Sequence, residues 1–279
     1  MRRTGFPYVP VSFYHMKQKR DGTMDIKDRK QPDDDIVIRI RECFSVKHIQ
    51  SAALLCRLGY QIESEYARTG TISQDLRLRH EAFILNAIIS SAAFLETAIN
   101  ELWSDAADNA YFFSDEKNEA LLQAIGEKWK NKNYSDRTPL LTKYQKILEI
   151  GEKPLFDETD PVFSSVRDLI GIRNHLMHYR REWVTIPTGS VSGAPIGTQA
   201  EKFELLFKNR FMENPLAPKS LPFFPDRCLG HGFAEWAVIS SLSFTDRFFQ
   251  KLDMPAPYDG VRNELLTRDC MKTTGLENY

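Results

Sequence analysis

From Ser45 to about Trp183 the apolar residues recur at helical rather than strand spacing, and capping residues and prolines interrupt the pattern at intervals. Ser45 opens a helix predicted to run through about Ala67. Thr71-Ile72-Ser73-Gln74 has the T-x-x-Q form of a capping box, which satisfies free N–H groups at a helix start, and predicts a long helix toward Ala110. Ser114-Asp115-Glu116 starts a third helix with acidic charge at its positive end. Thr138-Pro139 and Asp160-Pro161 each place a capping side chain before a proline at the first helical position, where the missing N–H costs nothing. Gly151 and Pro154 close the helix between them, and Pro161 opens one running to about Trp183. Short connections between such helices imply an antiparallel bundle.

The flanking regions differ in texture. The β-branched and aromatic runs Tyr8–Tyr14 and Ile36–Ile40 flank a polar stretch containing Asp21-Gly22, which predicts a small β unit within residues 1–44. Residues 186–229 carry prolines and glycines too dense for a continuous helix, so a loop/β insertion with a short strand at Phe203–Phe207 is expected. Phe233, Trp236, Ala237, Ser240, Phe244 and Phe248 mark one face of a last helix from about Gly232 to Lys251. It returns to the bundle, giving a helical body of residues 45–185 plus 230–254, followed by a polar tail, 255–279. The fold class is mainly α.

With 279 residues, 42% apolar and 27% charged, the chain can bury a sizeable core. The start Met1-Arg2-Arg3 has no apolar stretch behind it, so no cleaved secretory signal is expected. The most apolar segment, Ala82–Leu95, is interrupted by Asn86 and Ser90-Ser91, too short and polar for a bilayer. Cys43, Cys56, Cys228 and Cys270 are far apart and suggest neither a zinc site nor a disulfide framework; a reducing, cytoplasmic setting fits. A net charge of −1 gives no global attraction to nucleic acid, so any RNA contact must come from a local patch.

One stretch does not suit an ordinary core helix. On the helix from Pro161, Arg173 falls in an apolar stripe made by Val162, Val166, Leu169, Ile170, Leu176 and Met177, while Arg167, Gly171, Asn174, His178 and Arg181 form an adjacent polar stripe. Gly171 lacks a side chain and lets another backbone or a substrate approach. An arginine aimed into a core requires a carboxylate or a wet groove. On the long helix Glu96 sits in the stripe of Leu85, Ile89, Ala92, Ile99 and Trp103, with Asn100 one turn on. Glu96 and Arg173 are therefore expected to form a buried or groove-lining ion pair, with Asn100 as a hydrogen-bonding neighbour.

Arg173, Asn174 and His178 resemble the Rx4–6H signature of HEPN domains, which lies on a late helix of an α-helical bundle. Ser91–Asp105 is similar to the earlier acidic helix of many members. The resemblance covers about Ser45 to Trp183 and is silent on the N-terminal unit and the insertion. It implies a metal-independent endoribonuclease without cofactors, often a toxin or antiviral effector, whose site forms where two copies face each other. His178 would exchange protons with the ribose 2′-OH and the leaving oxygen, Arg173 would stabilise the phosphorane, and Asn174 would hold a phosphate oxygen. Glu96 and Asn100 would support them; Arg180, Arg181 and Lys143 would add positive charge. RNA, a second copy of the chain and an antitoxin or defence protein are the implied partners. The family's adenylylated tyrosine, two residues after the histidine, is replaced here by Arg180, with Tyr179 one position early, so that regulation is not carried over.

Structural readings stand beside these. Arg173 can serve only as half of an ion pair in a non-catalytic helical module that binds a protein or nucleotide. His175 and His178 have the spacing of a metal pair but no third ligand nearby in sequence. Glu101 and Asp105 read as a solvated face, His80 and His231 as surface or capping residues, and Trp103, Trp129, Trp183 and Trp236 as core anchors. The basic run Lys128, Lys130, Lys132 and Arg137, with Trp129 and Tyr134, could touch RNA but reads first as an exposed helix end.

Overall fold

Two long helices set the frame. The computed structural model describes residues 42–108, 118–129, 138–181 and 198–268; the strands expected at 8–14 and 36–40 and Trp183 lie outside them. Helix α1 (Phe44–Thr69) and helix α2 (Gln74–Ala107) run antiparallel, joined by a turn at Gly70, whose φ of +69° suits a residue without Cβ. Ser73, rather than Thr71, caps α2 by accepting the Leu76 N–H at 3.2 Å, because Thr71 belongs to a turn closed by the Thr69 hydroxyl. At the far end Glu101 of α2 accepts the Ser45 N–H at 2.9 Å and the Ser45 hydroxyl, capping α1 from another helix. The face read as solvated thus fixes a helix start.

The remaining helices cover α2. Helix α3 (Glu119–Trp129) and helix α4 (Leu140–Ile150) pack on its second half, and helix α5 (Pro161–Met177) and helix α7 (His231–Leu252) lie along its side. A Cβ on Gly126 would stand 2.4 Å from the Ala106 carbonyl oxygen, so α3 reaches α2 closely only with glycine there. Asp160 caps α5 as expected, accepting the Val162 N–H at 2.9 Å, and also pairs with Arg247 of α7 at 2.6 Å. Helix α4 differs: Pro139 itself occupies the cap position and no side chain caps it. Where the layers meet, Tyr144 sits edge-on to Phe244 and Phe248, each 4.8 Å away, and donates its hydroxyl to the Leu95 carbonyl. Trp103 stacks on Trp129 as a core anchor. Among the described residues one helix, α2, is long and apolar enough to cross a membrane, but half of its apolar window is buried within the bundle.

Three readings are corrected. The strand expected at Phe203–Phe207 is part of helix α6 (Gln199–Phe207), opened by a capping box in which Thr198 and Glu201 bond each other's backbone. Phe203 and Phe207 repeat at helical spacing and are buried against aromatic residues of the following segment and of α7. The tail does not leave the bundle at Pro255. Tyr258 is fully buried, a 3-10 turn follows at Asp259–Glu264, and Arg57 of α1 grips the Glu264 and Leu266 carbonyls. His80 and His231, finally, are buried, not superficial: Glu63 of α1 accepts from the His80 ring at 2.7 Å and from the His231 backbone N–H at 2.6 Å. One carboxylate therefore neutralises the positive end of α7 and satisfies a buried imidazole on α2.

Replacing Glu63 by alanine leaves both donors buried without a partner and is expected to cost about 2–3 kcal/mol, read as a lower urea midpoint at unchanged slope. Glu65→Ala, which removes only the exposed pair with Arg68, should leave the midpoint in place; equal shifts for the two would refute the assignment. The C-terminal segment has an acid limit. Burial pushes the Glu235 carboxyl up, but hydrogen bonds from Arg268 and Thr267 outweigh it and hold the group below its ordinary value of 4.5. A depressed carboxylate contributes fully above its unfolded value and loses that contribution as pH falls through the folded one. Amide protection factors at Thr267 and Arg268, which allow for the slower intrinsic exchange in acid, should fall as the pH drops below about 4.5, and already at neutral pH in Glu235→Gln.

Candidate active site

Helix α5 buries Phe163, Val166, Leu169 and Ile172. The buried stripe is thus rotated from the expected one: Met177 is exposed, and Arg173 stands at the stripe's edge, not its centre. Glu96 occupies the matching margin of α2, where it is the only exposed residue between Ala87 and Ala107. The two meet. Arg173 Nη2 donates to Glu96 Oε2 at 3.0 Å, with the arginine side chain 23% and the glutamate 48% exposed, so the expected pair is present at the partly exposed margin of the two helices. The Arg173 Nε atom is buried and has no hydrogen-bond partner.

Asn100 is not drawn to that pair. Its side-chain oxygen accepts from Lys143 Nζ at 2.8 Å, and the lysine lies within 5.9 Å of the Trp129 ring centre. Lys143 is therefore buried in the interior beside α2 and does not add charge at the surface.

Helix α5 ends earlier than its sequence spacing predicts. Met177 is the last helical residue and His178 is the cap, at φ −118° and ψ 33°, its N–H donating to the Asn174 carbonyl at 3.0 Å. Beyond it Tyr179, Arg180 and Arg181 are all exposed, and the Tyr179 ring packs on His175 of α5 itself, so little packing supports another helical turn. Arg181 accordingly falls off the stripe it was assigned to. Asn174 and His178 remain neighbours, both exposed, and a Cβ on the exposed Gly171 would meet no atom within 4 Å. The face Arg167, Gly171, Asn174, His178 is open to solvent along its length.

His175 turns the other way. Its ring contacts Phe203, Phe224 and Tyr179 edge-on, with centres 4.9, 5.5 and 5.3 Å apart. It is not a ligand partner for His178, and among the described residues no group of three or more His, Cys, Asp or Glu could hold a metal ion. Burial pushes the Cys56 and Cys228 thiols far above their ordinary range, which removes them as nucleophiles. Sequence reasoning missed the aromatic support that α6 gives to His175; the T-x-x-E pattern at Thr198–Glu201 was the signal for it.

The ion pair is asymmetric, and so are its mutants. Glu96→Ala leaves a largely buried guanidinium without its carboxylate and should cost about 1–3 kcal/mol, whereas Arg173→Met keeps the apolar stem, frees a half-exposed carboxylate and should cost less than about 1 kcal/mol. Urea unfolding of both variants checks the order, and the reverse order rejects it. No protein-family model, curated protein or solved structure matches this chain.

Proposed function

We propose that the chain is a metal-independent endoribonuclease of HEPN type, acting in the cytoplasm in a toxin, phage-defence or stress setting. The observation that carries the reading is one arrangement: exposed His178 and Asn174 beside an arginine already neutralised and oriented by Glu96, on a helix face left open at Gly171. Imidazole is the side chain that exchanges protons near neutrality, and a positioned guanidinium stabilises charge developing on phosphorus. In-line cleavage takes a proton from the 2′-OH and returns one to the leaving 5′-oxygen. Each chain supplies one such histidine, so a second copy placed across the Gly171 face would supply the other.

The alternative, a non-catalytic module that uses Arg173 structurally, draws on one observation: the guanidinium is already engaged by Glu96, with its Nε buried. Incubation of the purified protein with RNA in EDTA separates the two. Cleavage leaving cyclic-phosphate ends, reduced about 10²–10⁴-fold in His178→Ala with the fold intact, is the expected result. A chain that leaves RNA intact at every protein concentration, while Arg173→Met lowers its stability, fits the structural module instead.

A further inference from the structure

Every arginine among the described residues has a partner except three. Arg68, Arg79, Arg173, Arg210, Arg227, Arg247, Arg262 and Arg268 are held by carboxylates, and Arg57 and Arg77 by backbone carbonyls. The exceptions are Arg167, Arg180 and Arg181, and all three belong to the exposed face of α5 or to the residues just past its end. Residues 167–181 hold four arginines and a single acid, Asp168, which Arg210 already neutralises. In a chain of net charge −1, the unpaired arginines among the described residues are concentrated where His178 and Asn174 are displayed.

Tyr179 lies in the chain between His178 and the Arg180-Arg181 pair. Its side chain is 52% exposed, yet the ring is not loose: it sits at 89° to the His175 ring, which is in turn wedged against Phe203 and Phe224. A half-exposed aromatic ring fixed from behind, followed directly in the chain by two exposed arginines, has the properties of a base-stacking platform. A duplex offers no free base face to such a ring; a single strand does.

We infer that the substrate is single-stranded RNA, laid along α5 with phosphates on Arg167 at one end and on Arg180 and Arg181 at the other, and with a base stacked on Tyr179 beside His178. From residue 167 to residue 178 the path is about 16 Å at the helical rise of 1.5 Å per residue, a length that holds a short strand across the open Gly171 position. The inference rests on the ribonuclease reading for the identity of the site, and its test is a binding measurement that needs no cleavage.

The probe is a fluorescein-labelled 2′-O-methyl oligouridylate, which lacks the attacking hydroxyl, and the same label on an oligomer annealed to its complement. Fluorescence anisotropy with the full-length chain is expected to show tighter binding of the single strand. Tyr179→Ala should weaken that binding on the order of ten-fold and leave the duplex unaffected, and Tyr179→Phe should retain it. Arg167→Gln should lower the slope of log affinity against log salt by about 0.7. Equal binding of the duplex, no effect of Tyr179→Ala, or no binding of either probe overturns the inference. Cleavage lost in His178→Ala together with indifference to Tyr179→Ala sinks the platform and spares the nuclease; Tyr179-dependent binding without cleavage does the opposite.

Discussion

A helix of 34 residues that is apolar around most of its circumference must be covered, and the fold follows from how α2 meets that demand. Helix α1 covers one side through a short turn, α7 returns along another, and α3, α4 and α5 close what is left. At roughly 25 cal/mol per Å² of apolar surface, leaving one side of α2 in water would outweigh the net stability of the chain. Past Asn86 a single exposed residue remains on it, Glu96. The one gap in the cover is thus where a carboxylate meets Arg173, and the candidate site is the seam that burial left open.

Polar groups inside this packing are settled between helices. Glu101 caps α1, Glu63 caps α7 and holds His80, and Tyr258 donates to Asp246 at 2.6 Å. Each contact ties a helix end or a buried donor to a distant part of the chain, so the ends are fixed along with the apolar faces. The last segment is bound in the same way, by carbonyls on Arg57 and by Glu235. Its departure would strand buried polar groups on α1 and α7 together.

How much of this could be read from sequence depended on the distance over which each signal acts. Local signals read well: the Asp160-Pro161 start, the end at Gly151 and the aromatic face of α7 are as expected. The Glu96 to Arg173 pair was legible despite a sequence separation of 77 residues, because a charge in an apolar stripe calls for its opposite and only one such stripe offered it. His80 and His231 gave no such sign; their partner Glu63 lies among polar neighbours on a surface that looks solvated in one dimension. At α6 the proline and glycine around it outweighed a capping box that fixed the helix start. Tyr258 and Leu265, in a tail that is otherwise polar, carried too little pattern to reveal their burial.

The early end of α5 changes what the motif can do. Had the helix continued to Trp183, His178 would be one turn above Asn174 with its rotamer limited by the preceding turn. As the cap, it keeps the backbone bond to Asn174 but has left helical φ/ψ, and its ring is free to aim away from the helix axis. Arg173, four residues before the last helical residue, is held in its pair with Glu96. In the proposed chemistry the two roles divide accordingly: the charge that stabilises phosphorus is fixed by the core, and the group that moves protons sits on a turn that can follow the substrate. A phosphate arriving here must compete with Glu96 for the guanidinium, so strand binding needs further protein cations, and among the described residues the arginines not already committed are on the α5 face and its exit.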